Sequence, residues 1–225
     1  MTTEPRYFIP VCLYPHTKYR TAAGLMALFD KYALGKHDHL MVVADRLLVL
    51  DRLVSGRYWT VTQATSKARQ EAKQVLSLIN RISIKTGARP RGTVVFWDEI
   101  AETARYAEFS RLLLDAVLSD RLLSESIHEF AERRVKRFSP GSAPEREQGY
   151  EREYLLSEVS MSVFCTEILG FSNEVWERPP QPGAPDPLKL LYEQRRELIP
   201  PLTGREASRV LSFLFADSPS EAKAI

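Results

Sequence analysis

Tyr154 and Glu158 stand four residues apart in a stretch of helical pattern. On a helix that spacing puts both side chains on one face, a turn apart. If the face borders a pocket, a carboxylate against an apolar wall has a raised pKa, closer to what a base at neutral pH needs. The blander reading is a surface glutamate beside a half-buried tyrosine. Cys12 is the second candidate. A thiol is partly ionised at neutral pH and intrinsically nucleophilic, and this one lies close in sequence to the start of a helix, where backbone N–H groups favour negative charge. Free cysteine is also among the most buried residue types, so a small core residue is the competing reading; Cys165, in mid-helix, reads as core. The third feature is electrostatic. Lys67, Arg69, Lys73, Arg81, Lys85, Arg89 and Arg91 put seven cations within 25 residues, opposed only by Glu71. Phosphate binding depends on such clustering rather than on the net charge of +2, though a solvated helix face looks the same in sequence. Arg133, Arg134, Lys136 and Arg137 form a second cluster. His16, His37, His39 and His128 lack the spacing of a helical zinc motif, so no metal is expected. His16 is a possible base for Cys12.

These residues need elements to position them. Tyr7–Tyr14, short, rich in β-formers and bounded by Pro15, has the pattern of a strand buried on both faces; Leu40–Ala44 is a second short apolar run and Thr93–Trp97 reads as a third strand. Helical spacing covers 21–34, 66–84, 98–137 with a break near Ser119–Asp120, and 145–169. Gly87 and Gly170 are stop signals, and Asp45 and Asp98 are candidate N-caps. A fourth strand is possible at 174–178. Five prolines between Pro179 and Pro187 make that segment irregular, and the tail to Phe215 is mostly helical. Strand–helix alternation of this kind builds a parallel sheet flanked by helices. Ligands in such sheets bind beyond the carboxyl ends of the strands. That rule points to residues 12–17, Asp45, Asp98 and the residues after Val175.

Composition sets the outer bounds. The chain has 225 residues, 44% hydrophobic, ordinary for one soluble globular domain. Two cysteines make no disulfide framework. The polar N-terminus lacks a signal-peptide pattern and no apolar run reaches membrane-spanning length, so a cytoplasmic location is the expectation. With neither a phosphate-binding P-loop nor a Gly-x-Gly-x-x-Gly fingerprint, NTPase and nicotinamide chemistry are disfavoured.

The order of elements and the Tyr154-Leu-Leu-Ser-Glu158 segment resemble the tRNA-dependent cyclodipeptide synthases. Their fold is like the catalytic domain of class I aminoacyl-tRNA synthetases, and their catalytic helix carries Tyr-x-x-x-Glu. The resemblance spans nearly the whole chain, as a single catalytic domain at 1–225. It implies a cyclic dipeptide made from two aminoacyl-tRNAs through a covalent aminoacyl-enzyme, without a cofactor. It also implies that Tyr154 holds the aminoacyl amine, that Glu158 relays its proton, that Trp176 lies near the reacting ester, and that the first basic helix grips tRNA. The chain departs from the bacterial pattern where those enzymes carry a nucleophilic serine. Here the segment reads Val11-Cys-Leu-Tyr-Pro-His-Thr-Lys-Tyr19. Cys12 falls at or near the serine's place, with Thr17 as second choice. In this respect the chain is more similar to a divergent fungal branch that makes arginine-containing products. Arginyl-tRNA would then be one substrate, and Asp45, Asp98, Glu174 or Glu177 could pair with its guanidinium. Two other readings compete: a non-catalytic α/β module that binds RNA, and an unrelated Cys-dependent acyltransferase.

Overall fold

A computed structural model describes residues 6–13, 18–55, 59–87, 92–138, 145–172 and 186–200. Three strands, β1 (Tyr7–Val11), β2 (His39–Val43) and β3 (Gly92–Phe96), form a parallel sheet in the order β1-β2-β3. Register runs Val11–Val43–Phe96, so the three carboxyl ends finish level. Beyond β1, Ser172 makes a single parallel bridge to Tyr7. The fourth strand expected at 174–178 lies outside the described residues.

Every residue of β2 is buried, as its unbroken apolar run requires. Alternate residues feed two cores. Phe8, Leu40 and Val42 face one; Ile9, Val11, Met41 and Val43 face the other. The second core is closed by α1 (Ala22–Lys31) and α3 (Val61–Lys85), and the first by α4 (Trp97–Ala101), α5 (Ala104–Ser119), α6 (Arg121–Phe138), α7 (Glu145–Val163) and α8 (Pro187–Gln194). Helix α2 (Asp45–Ser55) serves both, with Leu47 and Leu50 in one and Leu48 in the other. This is the expected α/β architecture with helices on both faces.

Boundaries differ from the sequence reading where local hydrogen bonds overrule apolar spacing. Helix α3 starts at Val61, not near Ser66, because Thr60 and Gln63 form a reciprocal capping box. Asp98 is not a cap: Phe96 occupies that position, its N–H donating to the Glu99 carboxylate at 2.7 Å, and Asp98 sits inside α4. The long helical stretch after β3 breaks at Glu102–Thr103 as well as at Asp120, because Thr103 caps α5. Helix α7 ends in a π-turn over Phe164–Ile168, and Gly170, at φ +69°, closes it as expected. The last described α-helix spans Pro187–Gln194, capped by Asp186; the rest of the expected tail, from residue 201, is outside the described residues. No described helix is long and apolar enough to cross a membrane.

Candidate active site

Cys12 follows directly on β1, at the carboxyl edge of the sheet, half-buried against the second core. On either side of it the chain is anchored. The Val11 carbonyl accepts from Ala44 N–H at 3.1 Å. The Leu13 carbonyl accepts from the Arg20 guanidinium, with Nε at 2.8 Å, while the Leu13 side chain is buried. The first α-helix begins only at Ala22, after a 3-10 turn at Lys18–Arg20, and Thr21 caps it by accepting from Gly24 N–H. The helix thus starts where the apolar spacing placed it, with Thr21 as its cap.

Opposite lies α7. Glu151, Tyr154 and Glu158 fall on one stripe of that helix and are 0%, 5% and 9% exposed. Burial pushes the Tyr154 hydroxyl far above the ordinary tyrosine range. The charge of Glu158 pushes the same way and the Arg134 guanidinium opposes it; Cys12 and Glu151 add smaller upward pushes. Tyr154 thus keeps its proton at any working pH and can act only as a neutral hydrogen-bonding group. Cys12 and Glu158 are both within electrostatic reach of it. Two other residues singled out in the sequence thus act electrostatically on Tyr154.

Beneath them is a charged layer that was not singled out as part of a site. Arg134 stacks over the Tyr154 ring at 4.4 Å. It pairs with Glu151 at 3.1 Å and with Asp51 of α2 at 3.6 Å. The i, i+3, i+7 spacing of Glu151, Tyr154 and Glu158 was a signal for Glu151. Nothing local could have joined Asp51 and Arg134 to it. Arg134 is consequently not part of a phosphate-gripping patch. Its neighbours Arg133 and Lys136 pair with Glu129 and Glu132 on their own helix.

Asp45 starts α2 at the carboxyl end of β2, 5% exposed. Its Oδ1 accepts from Trp97 N–H at 3.2 Å, tying the turn after β2 to the turn after β3. Burial, and next the negative charge of Asp98, raise its pKa to about 6. Two of the carboxylates expected to meet a guanidinium therefore lie together. A groove of about 700 Å³ beside Trp97 is lined from α7 by Gly149, Arg152, Glu153, Leu156 and Ser157, so it opens on the helix face away from Tyr154 and Glu158. Thr17, Trp176, Glu174, Glu177, Arg89, Arg91 and His16 lie outside the described residues.

Along α3, Lys67, Arg69, Lys73, Arg81 and Lys85 are all exposed, while Glu71, the acid among them, is buried. Both Glu71 oxygens are held by arginines, one by Arg20 and the other by Arg52. Arg69 and Lys73 line a shallow groove of about 660 Å³ with Thr62, Thr65, Ser66 and Gln70. Among the described residues, no group of three or more potential ligands could hold a metal ion.

No family model matches the chain, and no curated protein matches it in sequence. Solved structures match it in shape. A cyclodipeptide synthase from Fluoribacter dumoffii superposes with a TM-score of 0.64 at 13% identity, covering 86% of this chain and 84% of that one. One from Streptomyces noursei gives 0.58 at 14% identity, over 75% and 80%. A Mycobacterium tuberculosis protein gives 0.58 at 18% identity, over 74% and 70%, and its structure relates cyclodipeptide synthetases to type I tRNA synthetases. The fold of this chain is the one these cyclodipeptide synthases share.

Proposed function

We propose that this chain is an aminoacyltransferase that joins two aminoacyl groups from charged tRNAs into a cyclic dipeptide, with Cys12 as nucleophile. The observation that supports the reading is that Cys12 and Glu158 both lie within electrostatic reach of Tyr154, inside a fold shared with cyclodipeptide synthases. The sulfur of Cys12 attacks the ester carbonyl of the first aminoacyl-tRNA. A thioester forms, and the ribose oxygen leaves and takes a proton. The amine of the held residue then attacks the second ester, releasing the second tRNA. The new terminal amine attacks the thioester, closes the ring and frees the thiol. Each amine must lose a proton, and Glu158 is the base beside the neutral hydroxyl of Tyr154, which holds the amine in place.

The outer face of α3, where Lys67, Arg69, Lys73, Arg81 and Lys85 are exposed and the helix's acid is turned inward, is proposed to grip the tRNA backbone. One product residue is proposed to be arginine. A guanidinium between Asp45 and Asp98 would relieve the charge repulsion that raises Asp45.

The test is expression in a bacterial host with mass spectrometry of the medium. A new 2,5-diketopiperazine is expected, and it should vanish with Cys12→Ala while tRNA binding persists. In a cell-free reaction RNase should abolish synthesis. RNA binding without product would favour a non-catalytic module; RNase-resistant product would point to another Cys-dependent acyltransferase.

A further inference from the structure

We infer that Arg20 is a positioning residue, a latch that fixes the carbonyl of Leu13, the residue after Cys12, and ties it to α3 through Glu71. The latch is defined by where one guanidinium goes. Nε donates to the Leu13 carbonyl at 2.8 Å, a second nitrogen donates to the same oxygen, and that nitrogen also pairs with Glu71 Oε2. The other Glu71 oxygen is held by Arg52, whose guanidinium lies 5.0 Å from the centre of the Trp59 ring. Arg20, Arg52 and Glu71 side chains are 23%, 19% and 10% exposed, so these charge-assisted bonds are little screened and outrank neutral ones.

Each part of the geometry has a consequence. A planar fork can serve a carbonyl and a carboxylate at once; a lysine ammonium lacks that shape. Leu13 is pinned from both sides, by its side chain in the core and by its carbonyl on Arg20. Cys12 therefore sits between two fixed peptides, since the Val11 carbonyl is bound to Ala44. Glu71 meanwhile belongs to the helix whose exposed charges are all cationic, so the segment of the thiol and the basic helix share one anchor. Reactions of a held nucleophile are sensitive to misplacement of about 1 Å, which can cost on the order of a hundredfold.

The role as a catalytic aid rests on the proposed aminoacyl transfer, but the latch can be read without it. In Arg20→Met, Glu71 keeps Arg52, and Lys67 lies 4.0 Å away, so the fold should hold. Two rates are measured: transfer of an aminoacyl group to the protein, by intact mass, and alkylation of Cys12 by iodoacetamide, by peptide mass. Buried Cys165 reports global loosening. The expected result is aminoacyl transfer slower by about tenfold or more, alkylation of Cys12 several-fold faster, Cys165 unlabelled, and tRNA affinity within about twofold of wild type. Arg20→Lys should fall between, keeping the ion pair and losing the fork. Unchanged alkylation of Cys12 in Arg20→Met, or equal labelling of Cys165, overturns the latch. If the wild-type protein accepts no aminoacyl group, the proposed function fails, and the alkylation rates still decide the latch.

Discussion

At the scale of single residues, the site separates two jobs that a shared chemistry could confuse. In the proposed reaction the thiol is acylated once, whereas two amines in turn must each lose a proton. Under that proposal only the second job falls to Glu158. Glu158→Gln keeps size and burial, so it should accept the first aminoacyl group on Cys12 and then stall. Intact mass spectrometry should show a persistent increase of one aminoacyl residue, with cyclic product down by about a hundredfold or more. Free turnover by this variant would remove Glu158 from the mechanism. Tyr154→Phe deletes a hydroxyl that cannot ionise here. Its loss should lower product formation by roughly tenfold to a hundredfold, the scale of one hydrogen bond to a reacting group. The ring, its stacking with Arg134 and the melting temperature should be nearly unchanged, as differential scanning fluorimetry can check. Glu151 differs in kind: it is fully buried and paired with Arg134. Replacing it removes the nearer carboxylate of Arg134, leaving Asp51 at 3.6 Å, and should cost a few kcal/mol of stability before any question of rate arises.

At the scale of elements, the strands were legible because each is a short apolar run rich in β-formers, within 7–14, 40–44 and 93–97; only β2 is buried throughout, while β1 and β3 keep half-buried positions. Helix ends were legible unevenly. The stops at Gly87 and Gly170 were visible because both glycines adopt φ +69°, a conformation that favours glycine, whereas the start of α3 hides in polar residues whose side chains cap it. The site was half legible. Tyr154 and Glu158 share a helix, so spacing joined them. Arg134, Asp51 and Arg20 reach across elements, and no local pattern says that a cation in a basic stretch is buried against an acid one or two helices away. One strand position shows the same limit. His39 and Gly92 are paired in register, and the His39 ring lies over the glycine, leaving no room for a side chain there. That ring is held by contact with His37 O at 3.0 Å and packs edge-on to Phe29. Gly92→Ala should therefore overlap the imidazole and destabilise by about 1–3 kcal/mol, the usual cost of overpacking. A chemical melt should show it; a neutral result would mean the ring can move.

At the scale of the whole molecule, two buried titratable groups tilt stability in opposite directions with pH. His39 has its pKa lowered by burial, so its contribution is present above the unfolded value of 6.5 and is lost as pH falls below it. Asp45 has its pKa raised from 3.8 to about 6. Its contribution is complete below 3.8 and is lost as pH rises through about 6, so at neutral pH the folded chain carries an unfavourable buried charge beside Asp98. Asp45→Asn keeps an oxygen for the Trp97 N–H and removes that charge. The stability of the variant minus that of wild type should rise between about pH 4 and pH 6.5 and then level off, at no more than about 3 kcal/mol, the ceiling that a carboxyl raised from 3.8 to about 6 allows. Taking the difference cancels the titrations not coupled to Asp45, so a flat difference would refute the assignment. A folded chain in which Asp98 acts on the buried Asp45 carboxyl by like-charge repulsion is stabilised by a cation that fits between the two. Arginine methyl ester, which carries a guanidinium and no carboxylate, should therefore raise the melting temperature of wild type at about pH 8 more than that of Asp45→Asn, whereas leucine methyl ester should not distinguish the two. Equal shifts with both esters would detach this carboxylate pair from substrate choice and leave Asp45 only its structural tie to β3.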